Sequence, residues 1–193
     1  MGADSAGAGA LNASRLATGR LPRLFQGLGV PLNIPEQLFL DQARSDYEVY
    51  EVLSRLNMCH RLHYLQMCAA KLAKAYLWRG GVSPGLRHDK SELFLRALAI
   101  RRDFHEMFGY KHRRRFDLLW PAILGLAIRI QNLAPAGKNI GPNPEYPWPP
   151  TNPTTGPLTY DFPEWRDWRR TTPGNRLKYF VENLLRNYDV YFP

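Results

Sequence analysis

The densest basic cluster of the 193-residue sequence is a run of five consecutive residues in its second half. It consists of Lys111, His112, Arg113, Arg114 and Arg115. The run lies where a loop is predicted to lead into a helix, so backbone N–H groups there could join the side chains in binding phosphate. The alternative is a solvated helix start, although cations at this end oppose the helix dipole. The cluster therefore predicts a nucleic-acid-binding site.

A second group of cations, Arg166, Arg169 and Arg170, stands beside Trp165 and Trp168. The indole rings could stack on a base or pack against the rest of the protein. Packing is favoured, because tryptophan commonly serves to bury apolar area.

Several common catalytic and cofactor-binding patterns are missing from the sequence. There is no glycine-rich phosphate-binding fingerprint, no Gly-x-Ser-x-Gly motif and no pair of carboxylates typical of a hydrolase. The histidines are too scattered for a zinc motif. They are His60, His63, His88, His105 and His112. We therefore predict neither a metal site nor a cofactor.

Composition and charge restrict the class of protein. Hydrophobic residues make up 45% and charged residues 22%, which is typical of a globular domain. The formal net charge of +9 favours a polyanionic partner, RNA or DNA before a membrane surface. No run resembles a membrane span or a signal peptide, and two cysteines, Cys59 and Cys68, cannot build a disulfide framework. These features predict a cytoplasmic protein that does not enter a membrane.

The first half of the chain predicts an arm followed by a helical hairpin. Residues 1–32 are rich in small residues and weakly periodic, which indicates a mobile N-terminal arm. A helical bundle is predicted over residues 33–134. Its first helix starts at Asn33 and breaks near residues 56–59, where Asn57 can cap a second helix that ends at Gly80.

The second half of the chain predicts three more helices and an extended strap. Helices are expected over residues 91–108 and 114–132, with a kink at Pro121. Residues 135–163 contain nine of the 16 prolines, so they predict an extended segment that straps across the bundle. Residues 164–193 then supply a last helix that opens at Thr172. The fold class is all-α, an up-and-down bundle of about five helices.

Two segments resemble the HEPN family of helical proteins. The segment from Gln66 to Leu77, with Lys71 and Lys74 three residues apart, is similar to the second helix of that family. Residues 87–93, Arg-His-Asp-Lys-Ser-Glu-Leu, are similar to the start of its third helix. With the preceding helix, the resemblance covers about residues 36–98.

The resemblance implies an all-helical bundle that is commonly a homodimer. Some members are metal-independent ribonucleases of prokaryotic defence or toxin–antitoxin systems; others are non-catalytic and bind a nucleotide or partner with a nucleotidyltransferase. For this chain the resemblance implies an RNA-binding protein. In one form of this hypothesis the protein is an endoribonuclease with an antitoxin as its partner. The non-catalytic module that binds a nucleotide or a nucleotidyltransferase is the alternative.

Catalytic members of the family carry an arginine and a histidine separated by four to six residues, and Arg55 and His60 have that spacing. Histidine can accept the ribose hydroxyl proton, and arginine can stabilise charge on the phosphorane. The pair lies at the tip of the first hairpin rather than late in the bundle, and Leu56 replaces the usual polar neighbour. The alternative is a histidine in a first helical turn beside a surface arginine.

Overall fold

The computed structural model describes residues 34–52, 57–85, 90–133, 144, 157–158 and 160–193. The predicted arm over residues 1–32 and most of the predicted strap over residues 135–163 lie outside the described residues. Arg55 and residues 87–89 also lie outside them.

Seven helices make up the described part of the chain, which confirms the all-α prediction. They are α1 (Ile34–Val52), α2 (Met58–Arg79), α3 (Ser91–Ala99), α4 (Phe104–Met107), α5 (Arg113–Asn132), α6 (Pro163–Arg170) and α7 (Thr172–Tyr191). No described residue belongs to a β-strand.

Helices α1 and α2 form the predicted antiparallel hairpin. Arg79 at the end of α2 pairs with Glu36 at the start of α1, and Lys71 pairs with Asp46 nearer the middle. The break between the helices falls where the sequence places it, with Asn57 at the N-cap of α2. Asn57 thus occupies the predicted N-cap position, but its side chain makes no capping hydrogen bond. Gly81 takes a φ of 73° after α2, which accounts for a glycine at this turn.

The prediction of a single helix over residues 91–108 is wrong, because these residues form two helices, α3 and α4. Residues 101–104 form tight turns in which Phe104 N–H donates to the Arg101 carbonyl. The Arg101 guanidinium chelates the Asp103 carboxylate at 2.9 and 2.6 Å and also donates to the Tyr191 carbonyl of α7 at 2.8 Å. These contacts hold a bend that ends α3 at Ala99 and starts the short α4.

The sequence pattern also missed a short helix that precedes the predicted C-terminal helix. Residues 163–170 form α6, and Thr171 separates it from α7. The Thr171 hydroxyl donates to the Asp167 carbonyl at 2.6 Å and accepts from Gly174 N–H at 3.2 Å. One threonine thus closes α6 and caps α7.

Aromatic side chains from α4, α5 and α7 form one end of the core. Phe104 and Phe108 lie edge to face, and the Phe108 ring stacks on Phe180 with centroids 4.3 Å apart. Phe116 and Trp120 of α5 complete the group. This packing fixes the end of α5 at which the basic cluster lies.

Candidate nucleic-acid interface

The basic cluster surrounds the N-terminus of α5. His112 is the N-cap residue with an extended backbone, and α5 starts at Arg113. No acidic residue lies in the first turn, and the His112 side chain makes no capping hydrogen bond to the free N–H groups. All five residues from Lys111 to Arg115 are exposed, whereas Phe116 is buried against the aromatic core. Burial of Phe116 therefore holds the cluster on the surface.

One exposed member of the cluster, Arg113, is bound by neighbouring parts of the protein. The Arg113 guanidinium donates to the Ala99 and Arg101 carbonyls at 3.2 and 3.0 Å, and to the Asp117 carboxylate at 2.7 Å. The Ala99 carbonyl ends α3 and the Arg101 carbonyl lies in the turn after it, and a cation is favourable at this end of a helix. Arg113 therefore joins α5 to α3 and is a structural residue of the cluster.

Replacing Arg113 by glutamine is expected to lower the free energy of unfolding by about 1 kcal/mol, since the group is partly exposed and its hydrogen bonds are screened by water. The same change at Arg114 should stay within about 0.5 kcal/mol, because Arg114 makes no such contacts to the described residues. Urea denaturation followed by circular dichroism measures both variants. Equal stability of the two would show that the Arg113 contacts to α3 contribute nothing.

The other four residues of the cluster have no internal partner. Within the described ranges, Lys111, His112, Arg114 and Arg115 make no side-chain hydrogen bond or ion pair. Arg102 is also exposed, and it directly follows Arg101, whose carbonyl accepts a hydrogen bond from Arg113. We call these five residues the basic surface.

Carboxylates close to the basic surface are few and mostly occupied. Asp117 is paired with Arg113 at 2.7 Å, and Asp103 is paired with Arg101 at 2.6 Å. Arg101 holds the pKa of the Asp103 carboxyl below its usual value, mainly through this hydrogen bond. Glu106 of α4 is exposed. The balance of charge at the start of α5 therefore remains positive.

His60, the predicted base, is exposed in the first turn of α2. Its backbone N–H donates to the Asn57 carbonyl at 3.2 Å. The next residue, Arg61, lies over the rings of Tyr50 and Trp165 at 4.5 and 4.7 Å and donates to the Tyr50 carbonyl. His60 is thus open to solvent, as a base for an RNA substrate must be, while Arg61 is held by its aromatic neighbours.

The tryptophans of the second basic group pack into the protein. Trp165 is 9% and Trp168 is 2% exposed, and the Trp168 indole N–H donates to the Tyr50 hydroxyl at 2.8 Å. Arg169 lies over Trp165 at 5.6 Å, while Arg166 is exposed. The favoured interpretation of this group as packing agrees with these contacts.

The residues that carry the family resemblance on α2 have structural contacts. The Gln66 amide donates to the Ile130 and Gln131 carbonyls at 2.7 and 3.0 Å, near the end of α5. Lys71 pairs with Asp46 at 2.5 Å. Buried Lys74 lies 5.6 Å above the Phe39 ring. These side chains therefore join α2 to its neighbours.

No group of three or more metal-ligating side chains occurs among the described residues. Cys59 and Cys68 are buried free thiols, and burial raises the pKa of Cys68. Over the same part of the chain, no helix has both the length and the apolar character that crossing a membrane requires.

Sequence reasoning missed a group of side chains next to the cluster. Arg176 and Tyr179 of α7 lie against Gly109, two residues before Lys111. Their separation of more than 60 positions from the cluster hides this relation in the sequence. A surface tyrosine gives no periodic signal of its own.

Comparisons with protein-family models, with characterised proteins and with solved structures returned no match to this chain. The resemblance to the HEPN family therefore rests on the sequence segments alone. Any function must be argued from the surface just described.

Proposed function

We propose that this chain is an RNA-binding protein with a HEPN-like helical bundle, which holds the phosphate backbone on the basic surface. One observation supports this above all others. Lys111, His112, Arg114 and Arg115 are exposed around one helix N-terminus, and exposed Arg102 lies in the turn that Arg113 contacts. Within the described residues, none of these five side chains has an internal hydrogen-bond or ion-pair partner.

The energetics of the helix N-terminus favour an anionic ligand. Cations at this end oppose the helix dipole, so their accumulation costs free energy in the unbound protein. A phosphate would relieve that repulsion and accept hydrogen bonds from the uncapped N–H groups of α5. The net charge of +9 adds long-range attraction for a polyanion.

Neutralising Arg114 and Arg115 together, as Arg114→Gln/Arg115→Gln, is expected to weaken RNA binding and its dependence on salt. The slope of log K against log salt should fall by about 0.7–1 for each phosphate that the variant no longer neutralises. Fluorescence anisotropy of a labelled RNA across a salt series measures both quantities. The matched control is Arg96→Gln/Arg186→Gln, which removes two exposed cations outside the basic surface.

The control separates a local effect from total charge. Equal reductions of slope in the two double variants would show that net charge alone drives binding, and the assignment to the basic surface would be wrong. Arg113 is left unchanged because its replacement would also disturb the hydrogen bonds to α3.

Metal-independent cleavage of RNA is the second candidate activity, and the exposure of His60 favours it. In this hypothesis His60 removes the proton from a ribose hydroxyl, and Arg55 stabilises the charge that develops on phosphorus. Arg55 lies outside the described residues, so its role rests on the family resemblance. The same resemblance implies a homodimer, which light scattering on the purified protein would detect.

An RNA cleavage assay with a chelator present tests this activity. The parent should cut, and His60→Ala should lower the rate about a hundredfold or more, with a large decrease also in Arg55→Ala. Arg96→Ala is the control for an exposed residue elsewhere. Equal cleavage by all variants would place the activity at another site. A parent that binds RNA without cutting it would favour the non-catalytic alternative.

A further inference from the structure

The turn before the basic surface brings together two tyrosines and an arginine. Gly109 has a φ of +73°, and a Cβ at this position would lie 3.1 Å from Arg176 Nη1 and 3.1 Å from Tyr179 Cε1. Arg176 lies over the Tyr110 ring at 4.5 Å and donates to the Phe108 carbonyl at 3.3 Å. Glycine is favoured here by its backbone conformation, and a Cβ would also require the Arg176 and Tyr179 side chains to shift. We call Tyr110, Arg176 and Tyr179 the aromatic platform.

Tyr179 differs from the other Phe, Tyr and Trp residues of the described ranges, because it alone is exposed, at 45%. The adjacent Phe180 is buried in the aromatic core, and Lys178 faces Glu51 and Glu182. Within those ranges the Tyr179 hydroxyl makes no hydrogen bond. Packing and hydrogen bonding in the described structure thus leave part of this ring uncovered.

The position of Tyr179 matters as much as its exposure. Tyr110 directly precedes Lys111, and Tyr179 lies against Gly109. A ligand whose phosphates bind the basic surface would therefore have its neighbouring atoms beside these rings. Exposed aromatic rings next to cations are the arrangement by which proteins bind nucleic-acid strands with unpaired bases.

We propose that the ligand is single-stranded RNA, and that an unpaired base stacks on Tyr179 while adjacent phosphates contact Lys111 and Arg114. This inference rests on the proposed RNA-binding function and specifies its substrate. A base inside a duplex is already stacked on its neighbours and cannot cover a side-chain ring, whereas a base in a single strand can. Arg176, held over Tyr110, adds a cation beside the stacked base.

The test measures, by fluorescence anisotropy, binding of a labelled oligouridine of about twelve nucleotides and of an RNA duplex of equal length. This length is within the range that one single-strand-binding domain covers. Tyr179→Ala should weaken binding of the single strand by about tenfold, a typical contribution of one stacked base. Tyr179→Phe keeps the ring and should bind like the parent. Val190→Ala, which shortens an exposed apolar residue elsewhere on α7, is the control. Circular dichroism verifies that each variant is folded.

The salt dependence distinguishes this inference from the function on which it rests. Tyr179→Ala should leave the salt slope unchanged, since it removes no charge, whereas Arg114→Gln/Arg115→Gln lowers it. The stacking proposal alone would be overturned if the parent bound RNA with a steep salt slope but Tyr179→Ala bound oligouridine as tightly as the parent does. Tighter binding of the duplex than of the single strand by such a parent would have the same consequence. A parent that binds neither RNA would overturn the proposed function as well.

Discussion

Gly174→Ala is expected to lower the free energy of unfolding by about 3 kcal/mol, the upper part of the range for overpacked sites. A Cβ at Gly174 would collide with the carbonyl oxygens of Asp167 and Trp168, and would lie 2.7 Å from the Trp168 carbonyl carbon. These atoms belong to the backbone of α6, so they cannot rotate away as a flexible side chain could. The variant must separate α6 from α7 or distort the start of α7.

The matched control for this change is Gly125→Ala. Gly125 lies inside α5, and a Cβ there meets no described atom within 4 Å. Alanine should therefore stabilise the helix by about 0.5–1 kcal/mol, because it restricts the unfolded chain more than glycine does. Urea denaturation followed by circular dichroism measures both variants. If Gly174→Ala were as stable as Gly125→Ala, the close approach of α6 and α7 would be wrong.

The sequence predicts best those elements whose boundaries are set by local chemistry. The break between α1 and α2, the end of α2 before Gly80 and the start of α7 at Thr172 all follow from turn, cap and proline signals. The start of α5 is predicted one residue late, at Arg114 instead of Arg113. Boundaries of this kind need no knowledge of the rest of the fold.

The errors occur where a distant contact decides the local structure. The residues from Ser91 to Phe108 look like one helix, but Arg101 binds both Asp103 and the Tyr191 carbonyl at the far end of the chain. Likewise, α6 is only eight residues long and follows a proline-rich segment, so its pattern resembles the end of the strap. Its tryptophans form contacts with Tyr50, more than 100 positions away.

The candidate site shows the same division between features set by local sequence and features set by distant contacts. Sequence alone identifies the basic run, because five adjacent residues give a local signal. It cannot separate Arg113 from Arg114, since their side chains are identical and only the hydrogen bonds to the Ala99 and Arg101 carbonyls distinguish them. Nor can it place Arg176 and Tyr179 beside Gly109, which requires the packing of α7 on α4.

Arg79→Leu is expected to lower the free energy of unfolding by about 3–5 kcal/mol, because it would remove the Arg79 cation from beside the buried Glu36 carboxylate. Glu36 is 1% exposed, and its Oε1 lies 3.1 Å from Arg79 Nη1. Tyr188 of α7 is buried beside the pair, and burial, followed by the Glu36 carboxylate, raises the pKa of its phenol. The phenol therefore stays neutral and adds no negative charge beside the Glu36 carboxylate.

Two comparisons identify the cause of that destabilisation. Arg96→Leu removes a cation from the exposed Arg96–Glu92 pair and should cost less than about 1 kcal/mol, since exposed pairs contribute little. The double variant Glu36→Leu/Arg79→Leu removes both buried charges and should recover much of the stability of the parent. Chemical denaturation of the single and double variants completes a double-mutant cycle. If the double variant lost as much free energy of unfolding as the two single variants together, the two residues would contribute independently. The ion pair would then not be what joins the open end of the α1–α2 hairpin.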